Sequence, residues 1–187
     1  MWWLGPTPRR SDITRHLHRH GLTHHQALPA MVAPLPAQFP PLNPKVQVWQ
    51  AASRADLETA STIRRVAFQF PAGTALSYFE DMADDWLRGD PARLYLAGMD
   101  DGPPAAIGAL IRGAGLPGVY VMATHPEWQR RGLGKAILAR ILSDASADGH
   151  SLIVLTAGPK GYPLYSQFGF EHIFDYYLAW EERESPT

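Results

Sequence analysis

The 187-residue sequence contains no cysteine, and this absence removes three classes of chemistry. A disulfide framework, a thiolate zinc site and a covalent cysteine nucleophile are all excluded, whatever the compartment. Any group transfer carried out by this chain therefore proceeds without a cysteine acyl-enzyme.

An excess of charge of one sign is also missing. The chain has 17 Lys and Arg residues against 18 Asp and Glu residues, for a formal net charge of -1. General nucleic-acid binders usually carry a basic excess, and base-stacking surfaces interleave aromatic with basic residues. Neither pattern is present, so we expect no nucleic-acid partner.

Long apolar runs are lacking as well. No run approaches the roughly 18 residues of a membrane-spanning helix, and residues 1–6 have neither the basic nor the apolar region of a signal peptide. We therefore expect a soluble, cytoplasmic protein without a membrane partner.

Proline is abundant and unevenly distributed. Eight of the 17 prolines lie in residues 1–45, and residues 34–44 are dense enough in proline to indicate an extended linker. The length suits one domain with additional residues, but it is too short for two ordinary domains. We predict an N-terminal segment over 1–36, a proline-rich linker over 37–44 and a compact domain over 45–187.

Hydrophobic periodicity from residue 45 onward predicts a mixed α/β (α+β) fold, in which helices flank a central mixed sheet. Ser53 is the expected N-cap of the first helix. The predicted strands are 46–49, 93–99, 105–112, 119–123, 151–156, 170–173 and 176–180. The predicted helices are 53–68, 75–87, 131–147 and 163–168.

The helix start at residues 129–135 has an unusual charge pattern. Its sequence is Gln129-Arg130-Arg131-Gly132-Leu133-Gly134-Lys135. Cations oppose the dipole at a helix N-terminus, whereas basic side chains, glycines and unpaired amides together form an anion site, most naturally for phosphate. In the alternative interpretation, the glycines only ease packing and the arginines are solvated.

Two common phosphate motifs do not fit the sequence. A Walker A loop fails because Gln129 occupies its first glycine position and Ala136 follows Lys135. Residues 113–118 match G-x-G-x-x-G, but Pro117 and the strand that follows leave no helix to receive a pyrophosphate. We interpret that match as a hairpin turn.

Residues 123–134 resemble the acetyl-CoA-binding motif of the GNAT N-acetyltransferases, whose core pattern is Q/R-x-x-G-x-G/A. Residues 163–170 resemble the Y-x-x-x-G-F motif of the same family. The resemblance covers about residues 45–180, and the predicted element order agrees with the family's fold. It implies an acetyl-CoA-dependent transfer of acetyl to a primary amine by direct attack on the thioester, with acetyl-CoA as co-substrate and no metal.

The resemblance also implies roles for individual residues. Backbone groups of Met122, Ala123 and Thr124 would pair with the pantetheine arm and polarise the thioester carbonyl. Tyr165 would protonate the departing thiolate as a general acid, although a core tyrosine is the alternative. The pyrophosphate would be held by Gln129, Arg130, Arg131, Gly132, Leu133, Gly134 and Lys135.

The sequence departs from the family pattern where a general base is expected. Many members carry an asparagine seven positions before the tyrosine and a glutamate on the preceding strand. Here Gly158 occupies the first position and residues 152–155 hold no carboxylate, so the base is unassigned. His125 is not expected to be the base. An acidic run, which could receive an amine but is more typical of a solvated face, comprises Glu80, Asp81, Asp84 and Asp85.

The N-terminal segment resembles the end of the domain that follows it. Residues 2–4 would correspond to the strand at 151–156, residues 11–20 to the next helix, residues 20–22 to the turn at 168–170, and residues 30–32 to the closing strand. We predict a partial, half GNAT-like segment that packs against the complete domain or exchanges strands with it; a flexible extension is the alternative. We expect no metal site in this segment and interpret its histidines as surface residues; they are His16, His18, His20, His24 and His25.

Three questions stay open at this point. Because no base is visible, a catalytically inert acyl-CoA-binding or regulatory module is the alternative function. The acceptor is a small-molecule or peptide amine, with polyamine, aminoglycoside, amino acid, peptide N-terminus and lysine side chain all compatible. A homodimer, in which the N-terminal segment docks on a partner chain, is also open.

Overall fold

The computed structural model describes residues 2–6, 10–70, 78–100, 102–113 and 115–180, and these contain one eight-stranded sheet. Its order is β1-β8-β2-β7-β6-β5-β4-β3, and every neighbouring pair is antiparallel except β6 and β7. The strands are β1 (Trp2–Leu4), β2 (His24–Pro34), β3 (Val46–Gln50), β4 (Ala92–Met99), β5 (Ala106–Gly113), β6 (Leu116–Thr124), β7 (Leu152–Thr156) and β8 (Glu171–Trp180). The helices are α1 (Arg10–Arg19), α2 (Arg54–Ala67), α3 (Ala83–Arg88), α4 (Leu133–Ala147) and α5 (Tyr162–Gln167), with a 3-10 turn over Pro126–Trp128.

Helices cover both faces of the sheet, which confirms the predicted fold class. Side chains alternate along β4, so Leu94 and Leu96 join the core under α2 and α3, whereas Tyr95 and Ala97 join the core under α4. The apolar residues of α4 that recur at i,i+4 spacing are all buried, and they are Leu133, Ile137, Ile141 and Ala145. In the described part of the chain, no helix combines the length and hydropathy of a membrane span.

The start of α2 confirms the predicted N-cap. Ser53 accepts a hydrogen bond from the Asp56 amide, and the Asp56 carboxylate accepts one in return from the Ser53 amide. This reciprocal pair is a capping box. Burial would raise the pKa of Asp56, but the hydrogen bonds from Ala52 and Ser53 outweigh burial and lower it.

The predicted helix over 75–87 is shorter in the structure. Its first part, residues 75–77, lies outside the described residues, and 78–82 form turns before α3 begins at Ala83. Glu80 turns inward, because its carboxylate accepts a 2.7 Å hydrogen bond from the buried Ser61 hydroxyl. Gly89 then ends α3 in the left-handed conformation.

The prediction of two closing strands, 170–173 and 176–180, was wrong. A single strand, β8, covers both, and the residues between them continue its ladder with β2. The physical reason is that β2 already occupies the place between β7 and β8, so the chain does not fold back to supply that neighbour. β2 itself extends well beyond the predicted residues 30–32.

Two β-α-β units share this end of the sheet. We call β1-α1-β2 the N-terminal unit and β7-α5-β8 the C-terminal unit. The second half of β2 lies between β7 and β8, and the second half of β8 lies between β1 and β2. Each unit therefore contributes a strand to the other, and β1 and β2 are both part of the main sheet. Residues 35–43 form no helix or strand.

The two units turn in the same way after their helices. Gly21 and Gly169 have φ values of 80° and 79°, which are accessible to glycine at little cost. The Leu22 amide donates to the Leu17 carbonyl at 3.1 Å, and the Phe170 amide donates to the Tyr165 carbonyl at 3.2 Å. Both units thus close their helix with the same backbone geometry.

Candidate active site

A cleft opens where β6 separates from β7. The two strands are paired only at Gly118 with Val154 and at Val119 with Leu155, yet β6 continues to Thr124. On its other side β6 stays paired with β5 as far as Thr124. Within the described ranges, the β7-facing edge of β6 therefore has no strand partner beyond Val119.

A bulge in β6 turns the strand at this point. Val121 and Met122 together oppose the single residue Gly108 of β5, and Val121 adopts a φ of 51°. A Cβ atom at Gly108 would lie 2.4 Å from Met122 Sδ and 2.5 Å from Ile137 Cγ2. Glycine at this position therefore lets both the bulge and α4 approach β5, and the bulge increases the local bend of β6.

Residues 129–132 connect the 3-10 turn to α4, and we call them the phosphate loop after the ligand predicted from the sequence. Arg130 and Gly132 have left-handed φ values of 64° and 94°. No side chain caps α4, and its first hydrogen bond runs from the Ala136 amide to the Gly132 carbonyl at 3.0 Å. Among the residues that the structure describes, no backbone carbonyl accepts from the amides of 130–135. These amides are available to an anion.

The basic side chains predicted here lie on the same loop. Arg130 and Arg131 are exposed and Lys135 is half-buried. The Arg131 guanidinium lies over the Trp128 ring, 4.8 Å from its centroid. The Gln129 side chain donates to the Thr124 carbonyl at 3.4 Å and joins the loop to β6.

The motif residues on β6, α4 and α5 come together beside the cleft. A Cβ atom at Gly134 would lie 3.8 Å from Thr124 Oγ1 and 3.6 Å from a methyl carbon of Leu164. Leu164 precedes Tyr165 on α5. The free edge of β6, the first turn of α4 and α5 therefore meet within van der Waals distance.

Tyr165 is buried at the inner end of α5. The Tyr165 ring packs edge-on against the Phe170 ring, with 5.9 Å between the centroids. A Cβ atom at Gly161 would lie 2.7 Å from Cε2 of the Tyr165 ring. Burial raises the pKa of Tyr165 to about 12, because desolvation disfavours the phenolate. The phenol keeps its proton throughout the neutral range.

The acidic run lines a polar cleft of about 380 Å³ that includes two arginines, Arg54 and Arg88. Asp85 pairs with Arg88 at 3.5 Å, and Glu80 is bonded to Ser61. The cleft is therefore a mixed-charge surface rather than a purely acidic one. Its acidic residues are Glu80, Asp81, Asp84 and Asp85.

The general base remains unassigned. β7 carries no carboxylate, and Gly158 has no side chain. The backbone amide of His125 donates to the Ala105 carbonyl at 2.8 Å, and its buried Nδ1 has no hydrogen-bond partner in the described part of the chain. Within that part, no three His, Asp or Glu side chains converge to hold a metal ion.

Sequence reasoning overlooked two residues of this site, Gly108 and Asn43. Gly108 carries no local signal, because its role depends on Met122 and Ile137 from other elements. Asn43 donates a 2.9 Å hydrogen bond from its side chain to the Arg131 carbonyl. It is the only asparagine in the sequence, which is the one signal that could have drawn attention to it.

Comparisons with known proteins agree with this geometry. Residues 73–177 match the family model described as an acetyltransferase (GNAT) domain. The mycothiol acetyltransferase of Clavibacter sepedonicus is 35% identical to the chain over a region covering 46% of this chain and 38% of that protein. The chain thus spans well under half of the curated relative that it matches.

Solved structures show the same fold. A GCN5-related N-acetyltransferase from Kribbella flavida is 22% identical, with a TM-score of 0.61, over 90% of this chain and 63% of that chain. One from Sphaerobacter thermophilus is 18% identical, with a TM-score of 0.69, over 90% and 56%. A predicted acetyltransferase from Clostridium acetobutylicum, solved with acetyl-CoA, is 17% identical, with a TM-score of 0.56, over 68% and 91%. The family model, the fold and the geometry of the cleft agree, and the chain belongs to the GNAT acetyltransferase family.

Proposed function

We propose that this chain is an acetyl-CoA-dependent N-acetyltransferase that transfers acetyl to a primary amine by direct attack on the thioester. The observation that carries the proposal is the meeting of three features beside one cleft. These are the unpaired edge of β6, the open amides at the start of α4, and the buried phenol of Tyr165. Each suits a different part of acetyl-CoA.

The edge of β6 suits the pantetheine arm. Met122, Ala123 and Thr124 follow the last residue of β6 that pairs with β7. An arm with amide groups can hydrogen-bond to this edge as a neighbouring strand does. A backbone amide there would polarise the thioester carbonyl and stabilise the oxyanion that develops when the amine attacks.

The phosphate loop suits the pyrophosphate. The amides of Arg130, Arg131, Gly132, Leu133, Gly134 and Lys135 and the positive end of the α4 dipole favour an anion. The exposed Arg130 and Arg131 add positive charge at the mouth of the site. Gln129 holds the loop to β6 through the Thr124 carbonyl.

Tyr165 suits the leaving group. In the reaction the amine nitrogen bonds to the carbonyl carbon, the carbon–sulfur bond breaks, the amine loses a proton and the thiolate gains one. Because burial keeps the Tyr165 phenol protonated, this residue is the proposed general acid for the thiolate. The same dry surroundings would raise the basicity of the thiolate and favour the transfer.

The N-terminal unit is proposed as a partial GNAT-like segment, with residues 37–44 as the linker to the domain that begins at residue 45. The matched turns at Gly21 and Gly169 and the exchanged strands β2 and β8 support this division. A mobile extension would not account for β2, whose residues 30–34 pair with β7. The unit therefore contributes to the fold of the catalytic domain.

The proposal is tested by calorimetric titration of the full chain with acetyl-CoA, followed by a CoA-release assay with a panel of amines. The panel contains polyamines, aminoglycosides, amino acids, peptide N-termini and lysine peptides, together with the amine acceptor of mycothiol acetylation because of the curated relative. Binding without turnover of any amine would favour the inert module, and the absence of binding would contradict both functions.

A charge variant localises the binding. Arg130→Ala combined with Arg131→Ala removes two exposed cations from the loop, so we expect acetyl-CoA affinity to fall about tenfold at low salt and less at high salt. Arg19→Ala removes an exposed cation at the end of α1 and serves as the control that leaves affinity unchanged.

A further inference from the structure

The phosphate loop contains a backbone conformation that residues with a Cβ atom rarely adopt. Arg130 has a φ of 64°, and the left-handed region costs a residue with a Cβ atom about 1–2 kcal/mol. Such a conformation persists only where the surroundings hold it. Gln129 supplies one contact, through its 3.4 Å bond to Thr124.

Asn43 supplies the second contact, from a distant part of the chain. Its Nδ2 donates to the Arg131 carbonyl at 2.9 Å across a sequence separation of 88 residues. A Cβ atom at Gly132 would lie 3.2 Å from Asn43 Cβ. Asn43 therefore bonds to one residue of the loop and packs against the next.

Asn43 is itself fixed by the start of β3. Its Oδ1 accepts from the Lys45 amide at 3.1 Å, and its backbone carbonyl accepts from the Val46 amide at 3.1 Å. Because Oδ1 is occupied by a donor, the amide group must present Nδ2 to Arg131. The half-buried side chain thus joins the edge of the sheet to the loop.

The direction of the Arg131 carbonyl determines where the next amide points. In a trans peptide unit the carbonyl and the following N–H point in opposite directions. The Arg131 carbonyl is directed at Asn43, so the Gly132 N–H is directed away from it. Within the described ranges, no backbone carbonyl accepts from that N–H.

We propose that Asn43 is a positioning residue for pyrophosphate binding, which orients the Arg131–Gly132 peptide so that its N–H faces the anion. The proposal rests on acetyl-CoA being the ligand of this loop. Asn43 acts through the loop and does not itself touch the reacting atoms. No local motif reveals this role, because the donor and the acceptor lie on separate elements.

Two variants and two acetyl donors test the proposal. Asn43→Ala should raise the KM and the Kd for acetyl-CoA about tenfold, as expected for the loss of one oriented hydrogen bond, with kcat within about twofold of wild type. S-acetylpantetheine lacks the pyrophosphate, so its kcat/KM should not change. Gln47→Ala, an exposed change on β3, is the control that should leave both donors unaffected.

Asn43→Asp sharpens the test. The carboxylate cannot donate to the Arg131 carbonyl and adds a negative charge beside the loop, so the loss of acetyl-CoA affinity should exceed that of Asn43→Ala and decrease with added salt. Equal losses with both donors, or unchanged acetyl-CoA affinity in a variant with wild-type melting temperature, would overturn the proposal.

A measurement without ligand separates this proposal from the proposed function. The backbone NMR order parameters of Arg131 and Gly132 should be lower in ligand-free Asn43→Ala than in wild type, and unchanged order parameters would refute the positioning role. If wild type binds no acetyl-CoA while the order parameters still fall in Asn43→Ala, the proposed function fails although Asn43 is shown to order the loop.

Discussion

The N-terminal and C-terminal units have the same backbone turn but place different side chains within it. Leu17 and Tyr165 stand at the same point of the turn, and each is 7% exposed. One residue is a hydrocarbon and the other carries a hydroxyl. Equal burial shows that packing alone does not require the phenol.

The neighbours of each unit differ. β7 of the C-terminal unit is paired with β6 and lies beside the cleft, whereas β1 of the N-terminal unit is the last strand of the sheet. Leu17 packs in a small cluster with Leu22 and Ala179, next to a cavity of about 20 Å³. The proposed role of Tyr165 therefore depends on the strand that lies beside its unit, whereas the turn itself serves packing in both units.

The largest expected effect is a difference in kcat between variants at the two buried turn positions, Tyr165 and Leu17. Tyr165→Phe should lower kcat about a hundredfold, the lower range for loss of a general acid, with acetyl-CoA affinity retained. Leu17→Tyr places a phenol at the matching turn, where no β6 lies alongside, so kcat should stay within about twofold of wild type. Steady-state kinetics of both variants would contradict the comparison if Tyr165→Phe kept full turnover.

The next effect concerns the exchanged strand. Met31 belongs to β2 of the N-terminal unit but is fully buried in the same core as Tyr165. Met31→Ala should lower the free energy of unfolding by about 3 kcal/mol, through lost burial and a residual cavity. Met82→Ala, at a position 46% exposed, is the control in urea unfolding. A loss below about 1 kcal/mol for Met31→Ala would mean that β2 contributes little to the C-terminal unit.

The free energy of unfolding at alkaline pH should also distinguish the units, because only the C-terminal unit has a tyrosine at the buried turn position. The folded pKa of Tyr165, about 12, lies above its ordinary value near 10. A group with a raised folded pKa contributes its full stability below the unfolded pKa and loses it as pH rises through the folded pKa. The free energy of unfolding should therefore fall between pH 10 and 12, by up to about 2–3 kcal/mol from this residue.

Variants of two tyrosines isolate the contribution of Tyr165 to this fall in the free energy of unfolding. Tyr165→Phe should flatten the alkaline fall, while Tyr120→Phe, at a position 49% exposed, should not. Tyr95 contributes in every variant, because burial and then its hydrogen bond to Asp144 raise its pKa too. An unchanged fall in Tyr165→Phe would argue against the burial of the phenol.

The smallest effect tests the turns themselves. Gly21→Ala and Gly169→Ala should each cost about 1 kcal/mol, because alanine at a φ near 80° is strained. Only Gly169→Ala should also lower kcat, since only that turn carries Tyr165. Thermal melts and kinetics of the pair measure both properties, and equal loss of activity in both would remove the functional distinction between the units.

Much of the fold was predictable because its signals are local. The Ser53 cap needs only Asp56 three residues later, and the stripe of α4 follows from i,i+4 spacing within the helix. The shortened α3 and the single strand β8 were not predictable. They depend on Ser61 in another helix and on β2, which reaches β8 from the opposite end of the sequence.

The candidate site divides in the same way. Its motif residues, 129–135 and Tyr165, were recognisable from local patterns, and their roles remain predictions. Gly108 and Asn43 could not be recognised, because each acts on a residue brought near by the sheet. A missing side chain at one position and one hydrogen bond at the other have meaning only once β5, α4 and the linker are assembled.

The sequence by itself determined the periodicity of the elements, the cap of α2, the basic glycine-containing start of α4 and the absence of thiol chemistry. These properties reside in residues a few positions apart, whose spacing decides their geometry. Only the tertiary structure decided the exchange of β2 and β8, the separation of β6 from β7 and the burial that raises the pKa of Tyr165. Strand register and desolvation depend on partners far away in the chain, and local spacing does not specify them.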